Sequence, residues 1–191
     1  MVDRGAHGID ILLDIAARKN VILLRGNHDD AAYYILRVLL NPDSKTRHTP
    51  EFMQLVAHWR SDGGEPTLQG YLKQSEKAQC TVVRTLRRTH WQTEVRAGGK
   101  CYHLSHTLPE YGIWISRPIT IADFILGEPD YEMVYDENKY FVTGHTPTGL
   151  IDSARGGRIV RMNHHIAIDC GAVFGNPLGC ICLETGEEYY V

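Results

Sequence analysis

The sequence predicts a single α/β domain over residues 1–191, and three observations lead to that prediction. Apolar residues recur at helical spacing over 8–18 and again over 30–40, with a short apolar run at 21–24 between them. The segment 50–92 has a mostly helical pattern, and short strand-like runs follow it to the end of the chain. Helices that alternate with strands are typical of an α/β sheet protein.

The first elements follow from their apolar residues. Ile9, Leu12 and Leu13 lie on one face of a predicted helix over 8–18. The run at 21–24 has four apolar residues in succession, which is typical of a buried parallel strand. We therefore expect a buried strand at 21–24, followed by a helix over 30–40.

The pattern changes after the glycines at 98–99, where helical spacing gives way to short runs bounded by turn residues. The segments 41–50 and 107–118 are expected to be surface loops. Strands are predicted at 100–104, 140–143, 158–162, 166–168, 179–183 and 188–191.

Composition excludes several classes of protein. The chain has 191 residues and a net charge of −3, so nothing favours non-specific binding to nucleic acid or to a membrane. No apolar run is long enough to span a bilayer, and the first residues have no signal-peptide pattern. The five cysteines include no CxxC pair, which favours a reducing, cytoplasmic environment.

Four polar segments lie next to predicted elements in a way that indicates a site. Residues 26–29 follow the first predicted strand, His106 follows the next one, and residues 144–147 follow a third. Residues 2–5 precede the first helix. Because ligands of open α/β sheets bind outside the carboxyl ends of the strands, these segments are candidates for one site.

The residue types in these segments suit metal-assisted hydrolysis of phosphate esters. Imidazole, carboxamide and carboxylate groups bind divalent metals such as manganese, zinc or iron. An arginine offers a forked, permanently charged donor to a phosphate. A histidine that is not a ligand can protonate the leaving alcohol, with an aspartate behind it to fix its tautomer.

The order of three motifs supports the same interpretation: VDRG at 2–5, GNHD at 26–29 and GHTP at 144–147. Together they resemble the calcineurin-like metallophosphoesterase superfamily, and most closely its bacterial serine/threonine phosphoprotein phosphatase and diadenosine tetraphosphatase branch. WRSDGGEPTL at 59–68 is similar to that branch's W-x-x-N-G-G-x-x-T-L, and IDCGAVFG at 168–175 to its I-D-T-G-A-V-Y-G. The resemblance implies two packed mixed β-sheets flanked by helices.

The resemblance also implies a role for each matching residue. Asn27, His106 and His145 would be metal ligands. His28 would donate a proton to the leaving group with the help of Asp3. The substrates would be phosphorylated proteins or nucleoside polyphosphates, and the sequence leaves that choice open.

Arg4 would bind the substrate phosphate, but other positions depart from the family. The family's D-x-H motif and the G-D that precedes its D-R-G do not occur in the chain. We therefore expect an N-terminally truncated domain without its first strand or strands, and at most one bound metal where the family has two. Glu128 stands where the family often has an arginine before Pro-Asp-Tyr.

Alternatives remain for the function and for single residues. The chain could be a catalytically impaired remnant that binds only phosphate or metal. Asp3 could be a simple helix cap or a partner of the helix dipole, and Asn27 with His28 could form only a turn. His106 could be an ordinary loop histidine and His145 a structural residue.

Overall fold

The computed structural model describes residues 1–191 and has an α/β fold. It contains a mixed five-stranded sheet, a two-stranded sheet and eight α-helices, so the predicted α/β class is confirmed. The chain divides into two compact units, Met1–Thr89 and His90–Val191, which are described separately. None of the helices has both the length and the apolar character needed to cross a membrane.

The first unit is helical. Helices α1 and α2 both pack against α5, and the core between them is completely buried at Leu12, Ile35 and Leu86. A 3-10 helix at Lys45–His48 and a kinked turn at Arg60–Gly64, where Asp62 and Gly63 leave the helical conformation, join the longer elements. The helices are α1 (Gly8–Ala16), α2 (Asn27–Leu40), α3 (Pro50–Trp59), α4 (Glu65–Leu72) and α5 (Glu76–Arg87).

The predicted buried strand at 21–24 is wrong. Only an isolated bridge forms there, at Leu24, and Val21 and Ile22 are 38% and 57% exposed. The first unit contains no β-strand, so the segment has no ladder within that unit to pair its backbone groups. Helix α2 begins at Asn27 rather than at residue 30, which places Asn27 in its first turn.

The second unit contains both sheets. The larger sheet has the strand order β1-β2-β3-β5-β4, with β2, β3 and β5 parallel to one another and the two outer pairs antiparallel. Its strands are β1 (Gln92–Ala97), β2 (Lys100–Ser105), β3 (Lys139–Thr143), β4 (Val160–Met162) and β5 (His165–Ala167). The smaller sheet pairs β6 (Gly179–Ile181) with β7 (Glu188–Tyr190), and the helices are α6 (Tyr111–Ser116), α7 (Ile121–Leu126) and α8 (Thr148–Ile151).

Six of these seven strands are predicted by the sequence, with bounds that differ by at most two residues, and β1 is not. In β1, half-buried residues alternate with exposed ones, which is a strand period. Only Gln92 of this strand lies in the segment 50–92 predicted to be mostly helical, and no element is predicted for the residues that follow it up to the glycines. Gly98 and Gly99, with φ of 55° and 75°, form the tight turn to β2. The predicted loop at 107–118 contains α6, because Tyr111 and Trp114 pack onto a buried aromatic cluster.

Parallel pairing determines where the residues after these strands lie. Leu104 of β2 is paired with Val142 of β3, and Val142 with Ile166 of β5. The carboxyl ends of the three strands therefore meet at one edge of the sheet. His106 and His145 are placed at that edge.

Two histidines are buried within the larger sheet and stay neutral there. His103 lies among Trp114, Phe124 and Phe141, and His165 shares a 2.7 Å hydrogen bond between its Nε2 and Thr143 Oγ1. Burial lowers the pKa of both histidines to about 4. At mildly acidic pH, these two histidines therefore stay neutral in the folded protein but become protonated in the unfolded chain.

We expect the free energy of unfolding to fall as the pH is lowered from 7 to 4. Unfolded histidines bind protons near pH 6.5, whereas His103 and His165 do so only near pH 4. Acid therefore favours the unfolded state, by about 2–3 kcal/mol for each histidine at pH 4. Replacement of His103 by Phe should remove one of these contributions and flatten the pH dependence measured by urea unfolding.

His58 is exposed on α3, so His58→Phe is the control, and its pH dependence should match that of the unsubstituted protein. A curve for His103→Phe as steep as that of the control would show that protonation of His103 does not drive acid unfolding.

Candidate active site

The carboxylate of Asp3 is the most buried charge of the first unit, with its side chain only 1% exposed. Its Oδ2 accepts hydrogen bonds from His28 Nδ1 and from Trp59 Nε1, each at 2.8 Å. Its Oδ1 accepts a hydrogen bond from Thr67 Oγ1, also at 2.8 Å. We call these four residues the Asp3 cluster. The three donors offset the loss of water around the carboxylate.

The backbone at this point adopts an uncommon conformation. Asp3 and Arg4 have φ of 72° and 61°, in the left-handed region that non-glycine residues seldom occupy. The Asp3 N–H donates to Thr67 Oγ1 at 2.8 Å, and the Arg4 N–H donates to the carbonyl oxygen of Gly63 at 2.7 Å. This turn directs the Asp3 side chain inwards and leaves the Arg4 side chain 39% exposed.

Two glycines allow the kinked turn at Arg60–Gly64 to approach the Asp3 cluster. Gly63 has φ of 103°, and a Cβ on it would lie 2.5 Å from Arg4 Cγ. A Cβ on Gly64 would lie 2.3 Å from the Trp59 ring. Any larger residue at Gly64 would push the indole away, so this glycine keeps the Trp59 N–H directed at Asp3.

The second nitrogen of His28 faces two charged groups. Arg4 Nη2 lies 3.3 Å from His28 Nε2, and Asp62 Oδ2 lies 4.0 Å from the same nitrogen. Asp62 Oδ1 also lies 3.6 Å from Arg4 Nη2. The Asp3 carboxylate can only accept a hydrogen bond, so His28 Nδ1 must carry the hydrogen between them. In this Nδ1–H tautomer, Nε2 has a lone pair and accepts a hydrogen bond from Arg4.

Two alternatives for the first unit are decided by this geometry. Helix α1 begins at Gly8 with His7 as its N-cap, so Asp3 does not cap it, and that alternative is wrong. Asn27 and His28 form the first turn of α2 rather than an isolated turn. Asp29 supports that helix start, because its Oδ2 accepts a hydrogen bond from the Gly26 N–H at 3.1 Å.

His106 and His145 lie together in the second unit. They follow the neighbouring parallel strands β2 and β3, and the Gly144 N–H donates to the His106 carbonyl oxygen at 3.0 Å. The ring nitrogens His106 Nε2 and His145 Nδ1 are 3.0 Å apart. His145 has a left-handed φ of 68°, a conformation that costs on the order of 1–3 kcal/mol and is often found at functional positions. We call these two residues the histidine pair.

The histidine pair has the donor chemistry of two metal ligands. Its ring nitrogens lie 3.0 Å apart, which is a hydrogen-bond distance, whereas two nitrogens bound tetrahedrally to zinc at about 2.1 Å would lie about 3.4 Å apart. A bound metal would therefore replace this hydrogen bond. Imidazole suits zinc, iron and related metals. The structure arranges no group of three or more His, Cys, Asp or Glu side chains for a metal ion. The pair therefore fits part of a coordination sphere, and the ligand role of Asn27, which lies in the first unit, stays a prediction.

A cavity of about 390 Å³ lies beside His145. Tyr131 contributes a buried hydroxyl to its wall, and burial raises the pKa of that phenol, although hydrogen bonding with Thr146 and Thr143 acts in the opposite direction. The exposed Glu128 places a carboxylate on the same wall. The cavity is lined by Glu128, Pro129, Tyr131, His145, Thr146, Pro147 and Leu150.

Sequence reasoning assigns no role to Trp59, Asp62 or Thr67, although all three lie in the segment 59–68 that supports the resemblance. Thr67 is 1% exposed and Trp59 is 3% exposed, yet both direct polar groups at Asp3. A threonine and a tryptophan eight residues apart give no indication of a shared acceptor. Only the fold of the first unit brings them to one carboxylate.

No protein-family model matches the chain, and no curated protein matches it at a significant level. The chemistry of the site is therefore inferred from its residues. In the first unit, a guanidinium stands beside an imidazole held by a buried carboxylate, an arrangement that can bind an oxyanion and transfer a proton. In the second unit, the histidine pair can bind a divalent metal.

We expect His106→Ala and His145→Ala each to weaken binding of Zn²⁺ and Mn²⁺ in a calorimetric titration of the full chain. Loss of a direct ligand should weaken binding by more than the 10–100-fold that loss of an outer-shell partner typically costs. His164 stacks on Tyr140 and is not part of the pair, so His164→Ala is the matched control. Unchanged metal binding in both pair variants would rule out the histidine pair as the metal site.

Proposed function

We propose that this chain is a metal-dependent phosphoesterase that hydrolyses phosphate esters. The observation that carries the proposal is the arrangement around His28, with the buried Asp3 at 2.8 Å from Nδ1 and Arg4 at 3.3 Å from Nε2. The resemblance of the VDRG, GNHD and GHTP motifs to metallophosphoesterases supports it. We extend the proposal to the fold, as a form of the two-sheet metallophosphoesterase sandwich.

Arg4 is the proposed phosphate-binding residue. Its guanidinium is permanently charged and forked, which suits two oxygens of one phosphate. Its side chain is 39% exposed, so a substrate can reach it without rearrangement of the core. The hydrogen bond from its N–H to Gly63 fixes the backbone from which the side chain extends.

His28 is the proposed proton donor. Hydrolysis forms a bond between a water oxygen and phosphorus and breaks the bond between phosphorus and the ester oxygen. The ester oxygen leaves as an alcohol when Nε2 of a protonated His28 gives it a proton. The attacking water releases a proton to solvent and His28 takes one up from solvent, so the ring is restored and the products are the alcohol and inorganic phosphate. Asp3 orients the ring and stabilises the imidazolium, as an orienting aspartate does in other proton-transfer sites.

The histidine pair is the proposed source of metal ligands, with Asn27 as a further proposed ligand. A bound divalent ion, manganese, zinc or iron, would supply charge neutralisation at the phosphate oxygens. The residues of the chain bind the substrate, orient it and move the proton. Phosphorylated proteins and nucleoside polyphosphates both present the phosphate that this chemistry requires.

A second candidate function is binding of phosphate or metal without hydrolysis. The observation that favours it is Asp62, whose carboxylate lies 3.6 Å from Arg4 Nη2 and therefore competes with a substrate phosphate. Both Arg4 and Asp62 are partly exposed, and such pairs are worth only about 0.2–1 kcal/mol. A phosphate can displace Asp62, so we place phosphoester hydrolysis first.

We expect His28→Asn to lower kcat on an alkyl phosphate by about 10²–10⁴-fold, the usual contribution of a general acid. The loss on nitrophenyl phosphate should be much smaller, because nitrophenolate needs little protonation to leave. Metal content after dialysis should be unchanged. His58→Asn, at an exposed position on α3, is the control. An equal loss on both substrates, or loss of metal, would contradict the proton-donor role.

We expect Asp62→Asn to strengthen binding of inorganic phosphate about two- to fivefold, because the competing charge beside Arg4 is removed. Asp43→Asn removes the same charge from an exposed position in the first unit and should leave phosphate binding unchanged. Calorimetry measures both variants. Weaker binding in Asp62→Asn would mean that Asp62 supports the site, and tighter binding without turnover would favour the second candidate function.

A further inference from the structure

Two residues besides His28 donate hydrogen bonds to the Asp3 carboxylate. Thr67 donates to Oδ1, and Trp59 donates to Oδ2 alongside His28, all at 2.8 Å. Because the Asp3 side chain is 1% exposed, water has little access to replace a lost donor. The direction in which the carboxylate faces His28 therefore depends on Thr67 and Trp59.

Each of these donors is itself fixed. The Thr67 hydroxyl accepts from the Asp3 N–H at 2.8 Å, so its own hydrogen is directed at Oδ1 of the same residue. The Trp59 indole is 3% exposed and packs against Gly64, where even a Cβ would collide with it. The two donors can therefore hold the carboxylate in one orientation.

A fixed carboxylate determines the tautomer of His28. At 2.8 Å from Asp3 Oδ2, Nδ1 must carry a hydrogen, because a lone pair there would face the lone pairs of the carboxylate. Nε2 then faces Arg4 at 3.3 Å as an acceptor. If the carboxylate could rotate, the imidazole could turn or change tautomer, and Nε2 would lose its fixed direction.

We propose that Thr67 and Trp59 are positioning residues that fix the Asp3 carboxylate, and through it the Nδ1–H tautomer of His28 with Nε2 directed at Arg4. They do not contact the reacting atoms. Their effect on hydrolysis rests on the proposed function of His28, whereas their effect on the tautomer does not. The two claims can therefore be tested separately.

The tautomer is read from the ring-nitrogen shifts of His28 in a ¹H–¹⁵N correlation spectrum of the full chain without added metal, at mildly alkaline pH. The spectrum of His28→Asn identifies the His28 signals. We expect the unsubstituted protein to show Nδ1–H alone. Thr67→Val and Trp59→Phe should each give a mixture of tautomers, and Thr67→Ser, which keeps the hydroxyl, should restore the single form.

The matched control is Thr85→Val. Thr85 Oγ1 donates at 2.9 Å to the Thr81 carbonyl oxygen within α5, so this variant loses a hydroxyl outside the Asp3 cluster. It should keep the Nδ1–H tautomer. If Thr67→Val does not fold, Trp59→Phe and Thr67→Ser still decide the question. A single Nδ1–H form in folded Thr67→Val and Trp59→Phe would overturn the proposal, whatever their thermal stability.

Kinetics provide the second readout. With metal bound, Thr67→Val should lower kcat on an alkyl phosphate about tenfold, less than the 10²–10⁴-fold general-acid effect, and barely change kcat on nitrophenyl phosphate. An equal loss on both substrates would indicate a purely structural role and overturn the positioning claim for catalysis. If the spectra agree but the unsubstituted protein hydrolyses neither ester, the proposed function fails and the positioning role stands.

Discussion

The buried carboxylate of Asp3 requires hydrogen-bond donors from the helices around it. An isolated charge in a protein interior costs several kcal/mol, so such a charge requires partners with good geometry. Asp3 obtains them from the first turn of α2, the last residue of α3 and the first turn of α4, through His28, Trp59 and Thr67. One charge therefore ties the ends of three helices to the turn that carries Arg4.

In the second unit, the site residues are brought together by the pairing of parallel strands and not by a buried charge. Parallel pairing of β2 with β3 brings the chain after Ser105 next to the chain after Thr143. The left-handed φ of His145 turns its ring towards His106. Left-handed non-glycine residues occur at Asp3, Arg4 and His145, and also at Asn163 and His164 in the turn between β4 and β5. Such conformations are often found at functional positions, but here they also occur in an ordinary turn.

The sequence predicts features that depend on neighbouring residues, but not contacts between residues far apart in the chain. The strands of the second unit follow from short apolar runs between turns, and the proximity of His106 and His145 follows from the rule that parallel strands end at one edge. The prediction of a strand at 21–24 is wrong because apolar residues alone do not supply a neighbouring strand for backbone hydrogen bonds. Thr67 and Asp3 are 64 residues apart in sequence, and no local pattern shows that they share a hydrogen bond.

The charges near the two sets of site residues bear on the choice of substrate. In the first unit, Asp62 lies within 3.6 Å of the proposed phosphate-binding Arg4. In the second unit, Glu128 lines the cavity beside His145. Because like charges repel, each carboxylate disfavours a ligand with several phosphates more strongly than one with a single phosphate. Within the proposed function, Asp62 therefore favours a phosphate monoester over a polyphosphate at Arg4.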